Sequence, residues 1–302
     1  METHVVPGAR FVDPKILARI RNLELLARTV VEGFINGLHR APYFGASIDF
    51  AEHRGYVPGD DIRRVDWRLF ARTDKYYVKQ YEADTNTNFM VLLDISKSMT
   101  FGSQGISKLE YGSYVAACLA YLAHRQRDRV GIVTFDSEVV NYVPPSAKHF
   151  NVLLQTLDRA RAERPGRILG PLGTIVEHFK RKSLVAIISD LYENPEDILD
   201  ALKPYRFHGN DVVVFHVLDQ AEITFPYSEA SRFEDLESGE EIPVIPASFA
   251  DEYRSMMRAH IESLTSKFSE SRIDYVQLDT SKPLDEALFK YLGTRERMMK
   301  VR

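Results

Sequence analysis

"FMVLLDISKSMTFGSQG", residues 89–105, decides how this chain is read. An apolar run stops at a carboxylate, Asp94. Hydroxyls follow at alternate positions, Ser96 and Ser98, and the chain then loosens at Gly102 and Gly105. A short, continuous apolar run without polar alternation suits a strand buried on both faces, the kind found in parallel sheets.

Downstream, the same kind of run returns four times: "RVGIVTF" (129–135), "SLVAIISD" (183–190), "DVVVFHVLD" (211–219) and "IDYVQL" (273–278). Helical spacing separates these runs, over 107–126, 147–162, 168–182, 195–205, 248–270 and 284–300. The alternation predicts an α/β domain over residues 88–302, with an open, doubly wound, mostly parallel sheet and right-handed crossovers. "EVVNYV" (138–143) reads as an antiparallel edge strand after a turn at "DS". Residues 220–247 read as an excursion holding a small hairpin turned at "SGE".

Residues 1–87 read differently. Asp13 and Pro14 are a good cap and first helical residue, and apolar spacing continues the helix over 13–38. The stretch 41–86 is dense in charge and aromatics. "SIDFAEH" and "YYVKQYE" are read there as strands of a β-hairpin extension turned at "VPGDD". Trp67 and Phe70 are expected to be buried in a clamp, with Asp60, Asp61, Arg63, Arg64, Asp66, Arg68 and Arg72 pairing around them. Arg72, Thr73 and Asp74 would then form a partner-facing edge.

Bulk properties narrow the function classes. The 302 residues are 44% hydrophobic and 27% charged with a net charge of −4, which gives no reason to expect nucleic acid as a partner. The one cysteine, Cys118, excludes an intrachain disulfide and a cysteine-rich zinc site, and it is read as a buried thiol in a helix. No run reaches the roughly 20 apolar residues of a membrane span, and the N-terminus lacks the features of a signal peptide. A cytoplasmic protein without direct membrane insertion is expected, peripheral to a membrane only through a partner. No glycine-rich phosphate loop, nucleophile elbow or metalloprotease helix is found.

In open parallel sheets, ligands collect beyond the C-terminal strand ends where strand order reverses. If the strands ending in Asp94 and Asp190 are neighbours, both carboxylates enter one crevice with Ser96 and Ser98 beside them. Such an oxygen-only set suits a hard divalent cation, Mg²⁺ or Mn²⁺. The competing reading is two strand-end turns capped by side-chain oxygens. Asp136, in "TFDSE", is read as a turn cap, with a partner-facing place on the same rim as the alternative.

The order "DISKS", then "KLEYGSYVAACLAYLAHRQRDRVGIVTFDSEV", then "VAIISDLYE", resembles the von Willebrand factor A fold and its metal-ion-dependent adhesion site. Upstream, "DFAEHRGYVPGDDIRRVDWRLFARTDKYYVKQYE" resembles the defining block of the domain of unknown function fifty-eight family. The resemblance implies metal ligation by Asp94, Ser96, Ser98 and Asp190, with a threonine from a further loop. Here that place is taken by Gly166 or Arg167, and Thr174 falls mid-helix. It also implies a non-catalytic adaptor for a MoxR-type AAA+ ATPase or its client in assembly or maturation of other proteins. Two other readings stand beside it: a metal-independent scaffold with Arg167 or its neighbours satisfying the aspartates, and a metal-assisted hydrolase built on Asp94 and Asp190.

Overall fold

The structure, a computed structural model, describes residues 14–20, 22–38, 52–55, 67–80, 87–179, 181–229, 231–285, 288–289 and 292. The helix predicted over 13–38 is divided into α1 (Pro14–Leu17) and α2 (Leu23–Leu38). Asn22 is the reason: its side-chain oxygen accepts the Leu25 N–H at 3.0 Å and starts a new helix. Leu26, Ala27, Val30, Val31 and Phe34 of α2 are buried.

The extension differs from the simple hairpin expected. β1 (Glu52–Gly55) does pair antiparallel with β2 (Tyr77–Gln80), but α3 (Trp67–Thr73) intervenes. The turn "VPGDD" and the charges of residues 60–66 lie outside the described residues. Trp67 is not buried as expected: it is 54% exposed, with its ring edge-on to Phe70 and Tyr76 at 6.1 and 6.5 Å.

From residue 88 the expected alternation is present. The elements are β3 (Asn88–Asp94), α4 (Lys108–Arg125), β4 (Arg129–Phe135), β5 (Val139–Ser146), α5 (Phe150–Arg159), α6 (Leu169–Val176) and β6 (Ser183–Ser189). There follow α7 (Pro195–Phe207), β7 (Asp211–Leu218), α8 (Gln220–Thr224), β8 (Ser231–Glu234), β9 (Glu241–Val244), α9 (Pro246–Glu270) and β10 (Asp274–Asp279). Six strands form one sheet in the order β10-β7-β6-β3-β4-β5, parallel except for the edge strand β5. Most of the helix predicted over 284–300 lies outside the described residues.

The two-residue side-chain period of a strand explains both helix layers. Phe89, Val91 and Leu93 of β3 join the core beneath α2, α4 and α5. Met90 and Leu92 join the opposite core beneath α6, α7 and α9. With both faces covered, β3 needs the unbroken apolar run seen in the sequence. Cys118 lies in the first core, and burial pushes its thiol pKa up, as expected of an inert packing residue.

At the β5 edge, a register shift against β4 falls at Pro144 and Pro145, between the Ile132–Val143 and Val130–Ser146 pairs. A side chain on Gly131 would meet the Pro145 nitrogen at 2.8 Å, so that close approach requires glycine. The excursion holds α8 and the antiparallel pair β8–β9, turned over residues 235–240. No described helix is long and apolar enough to cross a membrane. The strand order, with β5 reversed at the edge, gives this α/β domain a von Willebrand factor A-like architecture.

Candidate functional site

The chain leaves β3 for β4 on one side, while β6 pairs with β3 on the other, so strand order reverses between β3 and β6. Asp94 ends β3 and Asp190 directly follows β6. Asp94, Ser96, Ser98 and Asp190 all line one crevice of ≈ 790 Å³ above this point. Its other wall is aromatic, with Phe225, Tyr227, Phe233 and Tyr253 from the excursion and α9. Arg72, Asp74 and Asp136 do not line it.

Asp94 is held by dipoles. Its Oδ1 accepts the Ser96 N–H at 2.8 Å and its Oδ2 accepts the Ser189 hydroxyl at 2.6 Å. Ser189 in turn accepts the Leu191 N–H at 3.1 Å. Burial, and then the charge of Asp190, push the Asp94 carboxyl up to about 7, against the opposing pull of the Ser189 and Ser96 hydrogen bonds.

Asp190 is held by a full charge. Ser107 and Glu110 form a capping box that starts α4, and Lys108 is the first residue inside it. The Lys108 side chain is fully buried, and its ammonium donates to Asp190 Oδ2 and Glu222 Oε1, each at 2.7 Å. Burial would lower its pKa, but the two carboxylates outweigh burial and hold it raised and charged. Tyr192 lies 4.7 Å from the ammonium, ring centroid to Nζ. Glu222 is itself fixed by the capping box of α8, where its other oxygen accepts the Asp219 N–H at 2.8 Å. Below Asp190, burial keeps His216 neutral with its pKa lowered to about 3. The His216 ring joins the Asp190 carbonyl at 2.7 Å to the Tyr275 hydroxyl at 2.6 Å.

The third loop closes on the first. A Cβ on Gly166 would stand 2.4 Å from the Ser96 Cβ, so the position expected to carry a threonine accepts only glycine here. Arg167 donates its N–H to the Asp136 carbonyl at 3.2 Å. Asp136 is 3% exposed, accepts the Glu138 N–H at 3.0 Å and pairs with Arg164 at 3.1 Å. It caps the turn after β4. Arg72 and Asp74 are exposed at the end of α3, where the Asp74 N–H caps the helix on the Phe70 carbonyl. From the excursion, Glu237 reaches across the crevice. Its Oε1 accepts the Ser98 N–H and its Oε2 the Gly166 N–H, each at 2.8 Å.

The residues present do not fit the divalent ion that the resemblance implies. Lys108 already supplies the positive charge at Asp190, and a second cation beside a buried ammonium is repelled. The threonine hydroxyl is replaced by a glycine packed on Ser96, and the Ser96 and Ser98 hydroxyls hydrogen-bond each other at 3.1 Å. Among the described residues, no group of three or more His, Cys, Asp or Glu side chains is placed to hold a metal. The arrangement is a set of mutually satisfied turns; each carboxylate oxygen just described already accepts a hydrogen bond.

Sequence reasoning missed Lys108, Ser189, Glu222 and Glu237. Lys108 carried a signal: a lysine in the first turn opposes the helix dipole and needs a compensating acid. Asp219 and Glu222 also carried one, as the ends of a capping box. Glu237 carried none, since an acid within "DLESGEE" reads as a solvated turn.

Uncharacterized proteins of Mycobacterium bovis and of two strains of Mycobacterium tuberculosis are each 26% identical to this chain over 295 residues. The match covers 94% of this chain and 91% of theirs. Among solved structures, the conserved hypothetical protein BatB from Bacteroides thetaiotaomicron is similar at 16% identity and a TM-score of 0.49. That likeness covers 70% of this chain and 99% of BatB. The SpRpn10 VWA domain is similar at 12% identity and a TM-score of 0.41, covering 67% of this chain and 93% of that domain. The family model described as "Protein of unknown function DUF58" matches residues 52–263, and the chain belongs to that family.

Proposed function

We propose that the chain is a non-catalytic, metal-independent protein-interaction module that offers its rim crevice to a segment of a partner protein. The observation that carries this reading is the crevice itself. It lies at the switch point, measures ≈ 790 Å³, and faces hydroxyls and backbone amides with an aromatic wall. Such a surface suits a peptide segment that buries an apolar side chain against Phe225 and Phe233 and sets a polar one toward Ser96 and Ser98. Asp94 is already engaged by Ser96 and Ser189, and Asp190 by Lys108, which argues against the metal-assisted hydrolase.

The partner we infer is a MoxR-type AAA+ ATPase or the client it acts on. Membership of the family supports this, through the frequent encoding of its members beside such ATPases. An ATP-hydrolysing partner also favours the cytoplasm as the place of encounter.

Affinity capture from the native cell tests the reading. Wild type is expected to recover the ATPase, and Ser98→Trp, which fills the crevice from its hydroxyl wall, is expected to lose it. Equal recovery by both would place the binding surface elsewhere. Metal independence has its own readout: the melting temperature should not move in millimolar Mg²⁺ or Mn²⁺, and a clear rise with either would overturn it.

A further inference from the structure

The hairpin formed by β8 and β9 is built to present one side chain. At its tip, Asp235 accepts the Glu237 N–H at 2.9 Å and the Ser238 hydroxyl at 2.6 Å. Gly239 takes the left-handed conformation, φ 77°, and its N–H returns to the Asp235 carbonyl at 2.7 Å. Just before the turn, the Phe233 ring stacks on Phe225 at 5.6 Å and 17°. A turn fixed at both ends leaves Glu237 little freedom. Its two oxygens accept from two amides that belong to different loops, one after β3 and one before α6.

A carboxylate that accepts two backbone N–H bonds makes charge-assisted contacts of defined geometry. The amides of Ser98 and Gly166 recognise a carboxylate group and nothing beyond it, so any acidic side chain that can reach them is an equivalent ligand. We propose that they form a receiving site for a carboxylate, occupied in the free chain by Glu237 and taken over by an aspartate or glutamate of the partner. This rests on the reading of the crevice as a partner site. The hairpin is then a latch that an acidic segment must displace, and the partner's apparent affinity is reduced by the fraction of chains that are latched.

Two measurements on the full chain test the proposal. Hydrogen exchange followed by mass spectrometry should show the segments around Ser98 and Gly166 exchanging at least about ten-fold faster in Glu237→Ala than in wild type. Glu237→Gln, which keeps the shape and one acceptor, should fall between them, while β3 and β6 stay protected in all three. Unchanged exchange at Ser98 and Gly166 would overturn the latch.

The second measurement uses a fluorescent peptide of residues 231–244 as the acidic probe, with a control peptide carrying Glu234→Gln, Asp235→Asn, Glu237→Gln, Glu240→Gln and Glu241→Gln. The acidic peptide should bind Glu237→Ala at least about ten-fold more tightly than wild type, and the control should show no such preference. Equal binding of the acidic peptide to both chains, no binding to either, or equal binding of both peptides would overturn the carboxylate site. The exchange measurement needs no partner, so the two readings fail separately. A latched chain that captures no ATPase defeats the proposed function, whereas capture without any change in exchange defeats only the latch.

Discussion

Asp94 and Asp190 stand at the ends of adjacent strands and are almost equally withdrawn from water, at 7% and 3% exposure. The loop after β3 meets its aspartate with dipoles, an amide and a hydroxyl. The loop after β6 has its aspartate met by an ammonium ion brought from α4. A dipole-held carboxylate in a buried setting keeps a pKa near neutrality, so its charge is conditional. A cation-held one is tied by an ion pair to the other groups its cation touches. One rim thus combines a titrating position with an ion-paired one, and the ion-paired one ties together α4, β6 and α8.

The most severe way to break this contrast is Lys108→Ala. It leaves Asp190 and Glu222 buried without their cation and should cost about 3–5 kcal/mol, read as a fall in the urea midpoint. Combining Lys108→Met with Asp190→Asn and Glu222→Gln removes all three charges together and should recover most of that loss.

Asp94→Asn probes the conditional side. Because the folded-state pKa is raised, the native state binds the proton more tightly than the unfolded chain does. Wild-type stability from this group is therefore full below about pH 4 and lost as pH rises toward 7, by up to about 4 kcal/mol. Asp94→Asn should match wild type near pH 4 and be the more stable of the two near pH 8. Melting temperatures across this range check the sign, and a steeper pH dependence in the variant would contradict it.

Smaller effects sharpen the picture. Ser189→Ala removes a donor to Asp94 and leaves the Leu191 N–H without its acceptor, at a cost of about 1–3 kcal/mol. It should also move the titration of Asp94 to higher pH, seen by carboxyl-labelled NMR. Ser107→Ala removes the cap that sets the start of α4 and should cost about 1 kcal/mol in denaturant unfolding.

The sheet was legible in the sequence because strands covered on both faces need unbroken apolar runs, and those of β3, β4, β6 and β7 are close to unbroken. The meeting of Asp94 and Asp190 was legible from strand ends and the switch-point rule. Local capping defeated the prediction over 13–38, since one asparagine side chain restarts a helix whose apolar spacing runs on through it. The expected burial of Trp67 failed because aromatic residues suggest burial without saying which of them obtains it. The engagement of Asp190 was half legible, as a lysine at an unfavourable helix position. Glu237 was illegible: its partners are backbone amides 139 and 71 residues away, and an amide leaves no mark in a sequence.

The reversed border strand has a consequence for how copies of this chain meet. Pro144 and Pro145 carry no N–H, and the register of β5 against β4 shifts across them. A second molecule laid along that flank finds an interrupted row of donors, so the continuous ladder that zips open sheets into fibrils ends there. The layer is finished on that flank by two imino acids, and crowding many copies together does not extend it past them.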